Sequence, residues 1–349
     1  MDEEQESEDT AVRHLKKHID SLGPEVHAIH LSQHGELISV STKPEDDRTV
    51  CVYYPPLQDV QSPKHVNAVI RSDLLELDRF GPNVDLVSYL PNGDAIEPKK
   101  AAFKYYFLLQ FLHTFWHEMN VWMRLPAHPH IVPFDRLVLD ELRGCVVGFT
   151  SLYIPGGTLS ENKPRVFKLE WLRQLTSVAD DLNFKYIDGI GYGEDRNDVK
   201  GVIFTLYEII TRDTHFRDVR HSEQNPADVQ GLEEWVQHPD VKLDQPVSEY
   251  RAVLNDWVDK RRTGRQISHY KEASEYIEWP EFPQPPPEDW DAKDRDGNIV
   301  GTQSHVILSH QRFNEKKKGN AILEWERPAQ TKLKVGDRLL ANGQLVPRD

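Results

Sequence analysis

Apolar and polar residues alternate along much of the first third of the chain, and this two-residue period predicts β-strands. Polar and glycine-containing breaks, such as His34-Gly35 and Gly81-Pro82-Asn83, separate the runs and predict turns. We therefore expect a chain that begins with β-structure. The predicted strands are 26–31, 36–40, 49–54, 74–80, 84–90 and 101–109.

A helical period replaces this alternation from Leu112 to Leu125, where apolar residues recur every three or four positions. The spacing predicts an amphipathic helix with one buried stripe, and His128-Pro129-His130 predicts the turn that ends it. The elements expected after this turn are a hairpin of 137–139 and 145–149 and helices at 169–184 and 198–211. The middle of the chain is therefore predicted to be mainly helical.

Both ends of the chain differ from this body. The first ten residues contain six acids and no base, which predicts a disordered lead-in, and a short helix is expected over 11–22. Residues 279–288 are too rich in proline for a helix or a central strand, and they predict an extended linker or a strap over the surface. Short alternations within 298–308 and 320–346 predict a terminal β module.

Composition limits the compartment and the class of protein. Only Cys51 and Cys145 are present, too few for a disulfide framework, and no basic-then-apolar leader follows Met1. We therefore expect an intracellular protein, cytoplasmic or nuclear. The most apolar window, 101–116, is interrupted by polar residues and falls short of the roughly 18 apolar residues that a membrane span requires. No membrane segment is predicted.

The overall charge of the chain bears on its partners. Its formal net charge is −15, which argues against nucleic-acid binding because a phosphate backbone needs a positive surface. We therefore expect a protein partner, which the sequence does not identify, and no nucleic acid or membrane. The sequence carries no signal of oligomeric state.

Lys104 lies inside a predicted apolar strand, and Glu118 follows it on the predicted helix. A charge at such a position needs an anionic partner, because an unpaired buried charge is costly. The pair could be purely structural, or it could position the phosphates of a triphosphate. The residues alone leave both interpretations open.

Other chemistry is weakly supported by the residues. His113 and His117 lie four apart on the predicted helix, a spacing that can hold zinc, but Val121 occupies the position where a third ligand would complete a His-Glu-x-x-His site. We therefore expect no metal site. No Gly-x-Ser-x-Gly elbow is present, and the two cysteines lack paired spacing.

The order of strands, helix, hairpin and helices resembles that of a protein kinase, and several motifs are similar at matching places. The strand around Lys104 resembles the one whose lysine grips the nucleotide, and Glu118 resembles its helical ion-pair partner. His128 to Val132 is similar to the turn after that helix, and Tyr153-Ile154-Pro155-Gly156-Gly157 to the hinge that meets the adenine. The resemblance therefore implies that Lys104, Glu118, Tyr153 and Ile154 bind a nucleotide.

The large lobe of the kinase fold is also matched. Asn197 to Thr211 closely resembles its central hydrophobic helix, in which the aspartate matched by Asp198 holds the catalytic loop. His215 to Asp218 resembles the segment that comes after that helix in the family. The residues of these segments, and especially 149–157 and 191–199, resemble those of a group of fungal kinase-like proteins, and the resemblance covers about residues 70 to 280.

The resemblance implies an α+β, bilobal kinase-like fold with a β-rich small lobe, a mainly helical and truncated large lobe, and extra β-rich ends. The predicted segments are an acidic lead-in and short helix (1–24), a β-rich preface (25–69), the small lobe (70–155), the large lobe (156–278), the Pro-rich linker (279–291) and a C-terminal β module (292–349).

The chain departs from the family where catalysis should occur. No His-Arg-Asp loop with its downstream Asn lies between Tyr186 and Asp198, and no Asp-Phe-Gly occurs after it. Asp188-Gly189 is interpreted as a simple turn rather than as a metal ligand. Because these groups orient the nucleophile and hold magnesium, we expect no catalytic residue, no Mg²⁺ site and at most weak ATP binding.

Three functional hypotheses arise from this gap. The first is a pseudokinase, a binding or scaffold protein without phosphoryl-transfer activity. The second is an active ATP-dependent Ser/Thr-type kinase whose catalytic piece, between Tyr186 and Ile190, is absent from this isoform or gene model. In the third, the β-rich ends carry the function through protein contacts and the kinase-like body is their platform.

Overall fold

The structure is a computed structural model of the chain. It divides into two compact units, one formed by residues 1–119, 135–151 and 280–349 and the other by 120–134 and 152–279. The residues described are 2–47, 49–81, 83–91, 97–106, 112–157, 159, 162, 164–184, 198–220, 222–264, 272–284, 290–293, 299–303, 307–323, 338–339 and 345–346.

The N-terminal segment of the first unit opens with a helix rather than with the disordered lead-in expected from its charge. Arg13 and His14 lie in the last turn of this helix, where basic side chains suit the helix dipole. Of the predicted strands 26–31, 36–40 and 49–54, the first two pair with each other and the third is short. The elements are α1 (Asp2–Leu15), β1 (Ala28–Leu31), β2 (Leu37–Ser41), β3 (Val50–Cys51) and α2 (Leu57–Val60).

A six-stranded sheet forms the body of the first unit, with the strand order β4-β8-β9-β7-β6-β5. Strands β5, β6 and β7 form an antiparallel meander, whereas β4, which the sequence pattern did not predict, runs parallel to β8. The mixed α+β class expected from the sequence is confirmed. The elements are β4 (Asn67–Ile70), β5 (Leu75–Gly81), β6 (Val84–Tyr89), β7 (Lys99–Tyr105), α3 (Leu112–Arg124), β8 (Phe134–Leu139) and β9 (Val146–Leu152).

A buried polar network ties four strands of this sheet together around Asp135. Its carboxylate accepts hydrogen bonds from the Tyr89 hydroxyl at 2.5 Å, the Lys99 ammonium at 2.6 Å and the Thr150 hydroxyl at 3.0 Å. Burial, and then the Asp135 carboxylate, raise the pKa of Tyr89, so that its phenol keeps the proton it donates. Arg136 adds a hydrogen bond to the Tyr89 oxygen at 3.1 Å. The buried carboxylate is therefore fully partnered, as burial of a charge requires.

The second unit is mainly helical and packs around α5. The buried face of α5 includes Ile203, Leu206 and Ile210, which share one apolar core with residues of α4 and α7. Helices 169–184 and 198–211 are confirmed, because their three- and four-residue apolar spacing is strong in the sequence. The elements of this unit are β10 (Val166–Phe167), α4 (Leu169–Phe184), α5 (Asp198–Thr211), α6 (Pro226–Gln230), β11 (Lys242–Leu243) and α7 (Val247–Thr263).

Two carboxylates connect the helices of the second unit. Asp180 of α4 accepts a hydrogen bond from the Trp257 indole of α7 at 2.9 Å, and the Arg261 guanidinium lies 3.4 Å away. Asp244 accepts from the Tyr250 hydroxyl at 2.6 Å and from the first backbone N–H of α4 at 2.9 Å. The second contact satisfies a donor that the helix itself leaves unpaired.

The C-terminal segment returns to the first unit. Strand β14 pairs antiparallel with β3, and the Phe313 ring of the following helix lies 5.8 Å from the His27 ring and 4.4 Å from the Lys317 ammonium. Among the residues described, no helix is both long and apolar enough to cross a membrane. The elements are β12 (Trp290–Lys293), β13 (Ile299–Gln303), β14 (Ile307–Leu308), α8 (Ser309–Lys317), β15 (Arg338–Leu339) and β16 (Leu345–Val346).

The turn between β8 and β9 is organised by Asp140. Its carboxylate accepts three backbone hydrogen bonds, from the N–H groups of Leu142 at 2.7 Å, Arg143 at 2.6 Å and Cys145 at 2.7 Å. Burial alone would raise the pKa of Asp140, but the backbone hydrogen bonds outweigh it and hold that pKa below its ordinary value. Burial and the neighbouring Asp140 raise the pKa of Cys145 to about 11, which keeps this thiol protonated and unreactive.

Asp140→Asn should destabilise the first unit at pH 7 by about 1 to 2 kcal/mol, because it weakens charge-assisted hydrogen bonds. A carboxylate whose pKa is lower in the folded state contributes stability above its unfolded pKa, and this contribution is lost as the pH falls through the folded pKa. Urea unfolding at pH 7 and pH 3 should therefore show a difference between the natural chain and the variant that shrinks in acid. The control is Asp256→Asn in an exposed pair with Lys260, which should change little.

Candidate functional site

Lys104 and Glu118 form the ion pair predicted from the sequence. The Lys104 ammonium lies 2.5 Å from Oε1 and 2.6 Å from Oε2 of Glu118, and it donates to both oxygens. The two side chains are 26% and 30% exposed, so the pair is accessible to solvent and to a ligand. The Tyr106 hydroxyl donates a third, longer hydrogen bond to the same carboxylate at 3.4 Å.

The alternation of strand β7 determines which way Lys104 points. Ala101, Phe103 and Tyr105 are buried on one face of the strand, which leaves Ala102 and Lys104 on the other. On the neighbouring strand β6, Val84 lies opposite Lys104 and Leu86 lies opposite Ala102. Residues directly opposite in a sheet share a face, so the ammonium stands beside a half-buried apolar platform formed by Val84, Leu86 and Ala102.

Helix α3 carries Glu118 and is held by aromatic packing. The Phe115 ring stacks on Phe149 of β9 at 5.7 Å and lies 4.6 Å from the Tyr106 ring. The Tyr54 hydroxyl donates a hydrogen bond to the Tyr106 carbonyl at 2.7 Å. This contact ties the residue that follows β7 to the N-terminal segment of the first unit. These contacts place the helix at the distance from which Glu118 reaches Lys104.

Tyr106 also contacts the ion pair, although the sequence pattern did not predict it as a site residue. Burial, and then the negative charge of Glu118, raise the pKa of Tyr106 to about 12, so the phenol stays protonated and donates to the carboxylate. Its position two residues after Lys104, directly after the same strand, is the signal that could have identified it. Val84 and Leu86 could be assigned only from the strand register.

The connection between β5 and β6 contains Gly81-Pro82-Asn83, the break that predicts a turn in the sequence. Gly81 pairs with Val84, so two residues lie between the paired positions, and the Asn83 carbonyl accepts a hydrogen bond from the Tyr105 N–H at 3.1 Å. Proline has no backbone N–H, so these two residues offer at most one amide to an anion.

Tyr153 and Ile154, the predicted hinge residues, belong to the second unit and directly follow β9. Ile154 is 61% exposed, and Tyr153 is half-buried. Gly156 and Gly157 adopt positive φ angles of 106° and 69°, which glycine tolerates and other residues disfavour. The side chains of Asn162 and Arg165 both donate to the Gly156 carbonyl and hold this turn.

The structure brings Lys104 and Glu118 together, while Asp188-Gly189 lies outside the described residues. Asp198 begins α5, but the loop that it is expected to hold falls in 185–197, also outside the described residues, so this role stays a prediction. In the part of the chain that is described, no group of three or more His, Cys, Asp or Glu residues could hold a metal ion. The His113 ring lies 5.9 Å from the Phe282 ring, a packing contact.

A scan of the chain against protein-family models found no match, and a search of curated proteins found none either. The functional conclusion therefore depends on the geometry of the Lys104 site and on the motifs in the sequence.

Strand β9 passes close to Lys104 at Gly148, where there is no room for a side chain. A methyl group added at Gly148 would lie 2.7 Å from Cε2 of Phe103 and closer still to the carbonyl oxygen of Lys104. Gly148→Ala should therefore destabilise the chain by about 1 to 3 kcal/mol, the usual cost of overpacking a core.

The matched control for this prediction is Gly201→Ala on helix α5. Apart from the helix's own backbone, no atom of the described residues lies within 4 Å of the added methyl group there, and replacing a helical glycine should stabilise the chain by about 0.5 to 1 kcal/mol. Thermal unfolding of both variants measures the contrast. A Gly148→Ala variant as stable as the natural chain would contradict the close approach of β9 to Lys104.

Proposed function

We propose that this chain is a protein kinase-like binding or scaffold protein that lacks phosphoryl-transfer activity and offers a weak nucleotide site at Lys104. The observation that carries the proposal is the ion pair between Lys104 and Glu118. In protein kinases a lysine on the third strand of the small lobe pairs with a glutamate on the following helix. Here Lys104 lies on the third strand of an antiparallel meander, and Glu118 lies on the helix that comes next.

The surroundings of Lys104 support a ligand that has both an anionic and an apolar part. The ammonium can turn from Glu118 toward a phosphate, because both side chains are partly exposed. Val84, Leu86 and Ala102 supply an apolar surface on the same face, suited to a flat base. Only Pro82 and Asn83 lie between the paired residues Gly81 and Val84, and proline has no amide hydrogen to offer the phosphates, which supports weak rather than tight binding.

The sequence supports the absence of phosphoryl-transfer activity. Phosphoryl transfer needs an aspartate that orients the hydroxyl nucleophile and an asparagine and aspartate that hold magnesium. The segment between Phe184 and Asp198, where these residues are expected, contains neither a His-Arg-Asp loop nor an Asp-Phe-Gly motif. A chain without these groups could hold a nucleotide but could not transfer its terminal phosphate.

The alternative function is an active Ser/Thr-type kinase whose transcript contains an additional segment at this place. It is favoured by the structure on both sides of this segment, since helices α4 and α5 are both regular and share one buried core. Sequencing the transcript decides between the two. A continuous message that encodes this chain removes the alternative.

The binding prediction is tested by calorimetric titration with ATP, with and without magnesium. We expect a dissociation constant on the order of 0.1 to 1 mM, and a loss of at least about tenfold in Lys104→Met. The matched control is Lys100→Met, an exposed lysine four residues earlier on the same strand, which should leave the affinity unchanged.

Incubation of the same proteins with labelled ATP and generic protein substrates tests the absence of transfer. We expect no phosphoprotein above the background of a heat-denatured sample. Magnesium-dependent transfer by the natural chain that disappears in Lys104→Met would contradict the proposal.

A further inference from the structure

Residues 280–284, here called the strap, cross helix α3 in the first unit. The Pro280 carbonyl accepts a hydrogen bond from the Trp116 indole at 2.8 Å. The Phe282 ring meets the Trp116 ring at 5.4 Å and the His113 ring at 5.9 Å, both edge to face. The strap predicted within the Pro-rich segment therefore packs on a defined part of this helix.

The strap and the ion pair lie on different sides of α3. His113 and Trp116 are three residues apart and share one face of the helix. Glu118 is two positions beyond Trp116, which corresponds to about 200° around the helix axis. The helix is thus held between the strap on one side and the Lys104 strand on the other.

Phe282 also contacts the N-terminal segment that contains Tyr53 and Tyr54. Its ring lies 6.3 Å from the Tyr53 ring, edge to face. The neighbouring Tyr54 donates its hydroxyl hydrogen bond to the Tyr106 carbonyl, and Tyr106 donates to Glu118. One aromatic ring therefore connects α3, the N-terminal segment and, through two hydrogen bonds, the Glu118 carboxylate.

We propose that the strap is an intramolecular clamp that holds α3 where Glu118 reaches Lys104, so that release of the strap opens this ion pair. The strap is suited to release. An extended proline-containing segment has no internal hydrogen bonds between backbone groups, and Phe282 is only half-buried, whereas Phe115 in the core under the same helix is 4% exposed. The inference rests on the proposed function only for its consequence, which is control of the ligand site.

The clamp is tested without any nucleotide, through the chemical reactivity of Lys104. The reagent must reach the Lys104 nitrogen, which is shielded while it donates to both Glu118 oxygens. The full chain is treated with an N-hydroxysuccinimide acetate, and the acetylation rate of each lysine is followed by peptide mass spectrometry. Glu118→Gln, which removes the charge partner, defines the rate of an open pair.

The test variant is Phe282→Ala, and its matched control is Glu281→Ala, which removes an exposed side chain from the same strap. We expect the Lys104 rate to rise at least threefold in Phe282→Ala, toward the rate in Glu118→Gln, and to stay unchanged in Glu281→Ala. A Lys104 rate in Phe282→Ala equal to that of the natural chain would overturn the clamp.

Two further lysines report on folding in the same experiment. Lys100 is exposed and normalises the rates, while Lys99, whose ammonium donates to Asp135 in the first unit, reacts faster only if that unit opens. If Phe282→Ala unfolds, Phe282→Leu decides the question, because it removes the edge-to-face ring contacts with Trp116 and His113 and keeps an apolar side chain. A rise at Lys104 alone in that variant supports the clamp, and no rise overturns it. Because the assay contains no nucleotide, its result is independent of whether ATP binds.

Discussion

The position of helix α3 is the constraint on which the Lys104 site depends, and the Lys104–Glu118 ion pair reports that position. A partly exposed pair contributes only about 0 to 1 kcal/mol by itself, whereas burying one large aromatic or aliphatic side chain contributes about 1.5 to 3 kcal/mol. The packing of Phe115 and Trp116 therefore positions the helix, and the charges follow. Such a pair can be opened by small changes in packing without unfolding the unit.

This balance of energies explains how one pair can serve both stability and binding. Because Glu118 competes with any anionic ligand for the Lys104 ammonium, a phosphate gains only the difference between the two interactions. The apolar platform of Val84, Leu86 and Ala102 then supplies an attraction that Glu118 cannot match. In the proposed function, the site recognises a ligand and does not turn it over.

Much of the fold and the Lys104–Glu118 pair of the candidate site could be predicted from the sequence, because these parts depend on local patterns. Helices α4 and α5 have strong apolar periodicity, and the spacing of Lys104 and Glu118 follows from one strand and the next helix. Contacts between distant residues left no such signal. The pairing of β3 with β14 and the Trp116 hydrogen bond, whose partners are 164 residues apart, depend on how separate segments meet.

The most direct test of the account is a crystal structure of the full chain with a non-hydrolysable ATP analogue and magnesium. We predict a phosphate oxygen within about 3 Å of the Lys104 ammonium and the base over Val84 and Ala102. Two carboxylates converging on a metal ion beside Lys104, or a nucleotide bound away from this lysine, would contradict it.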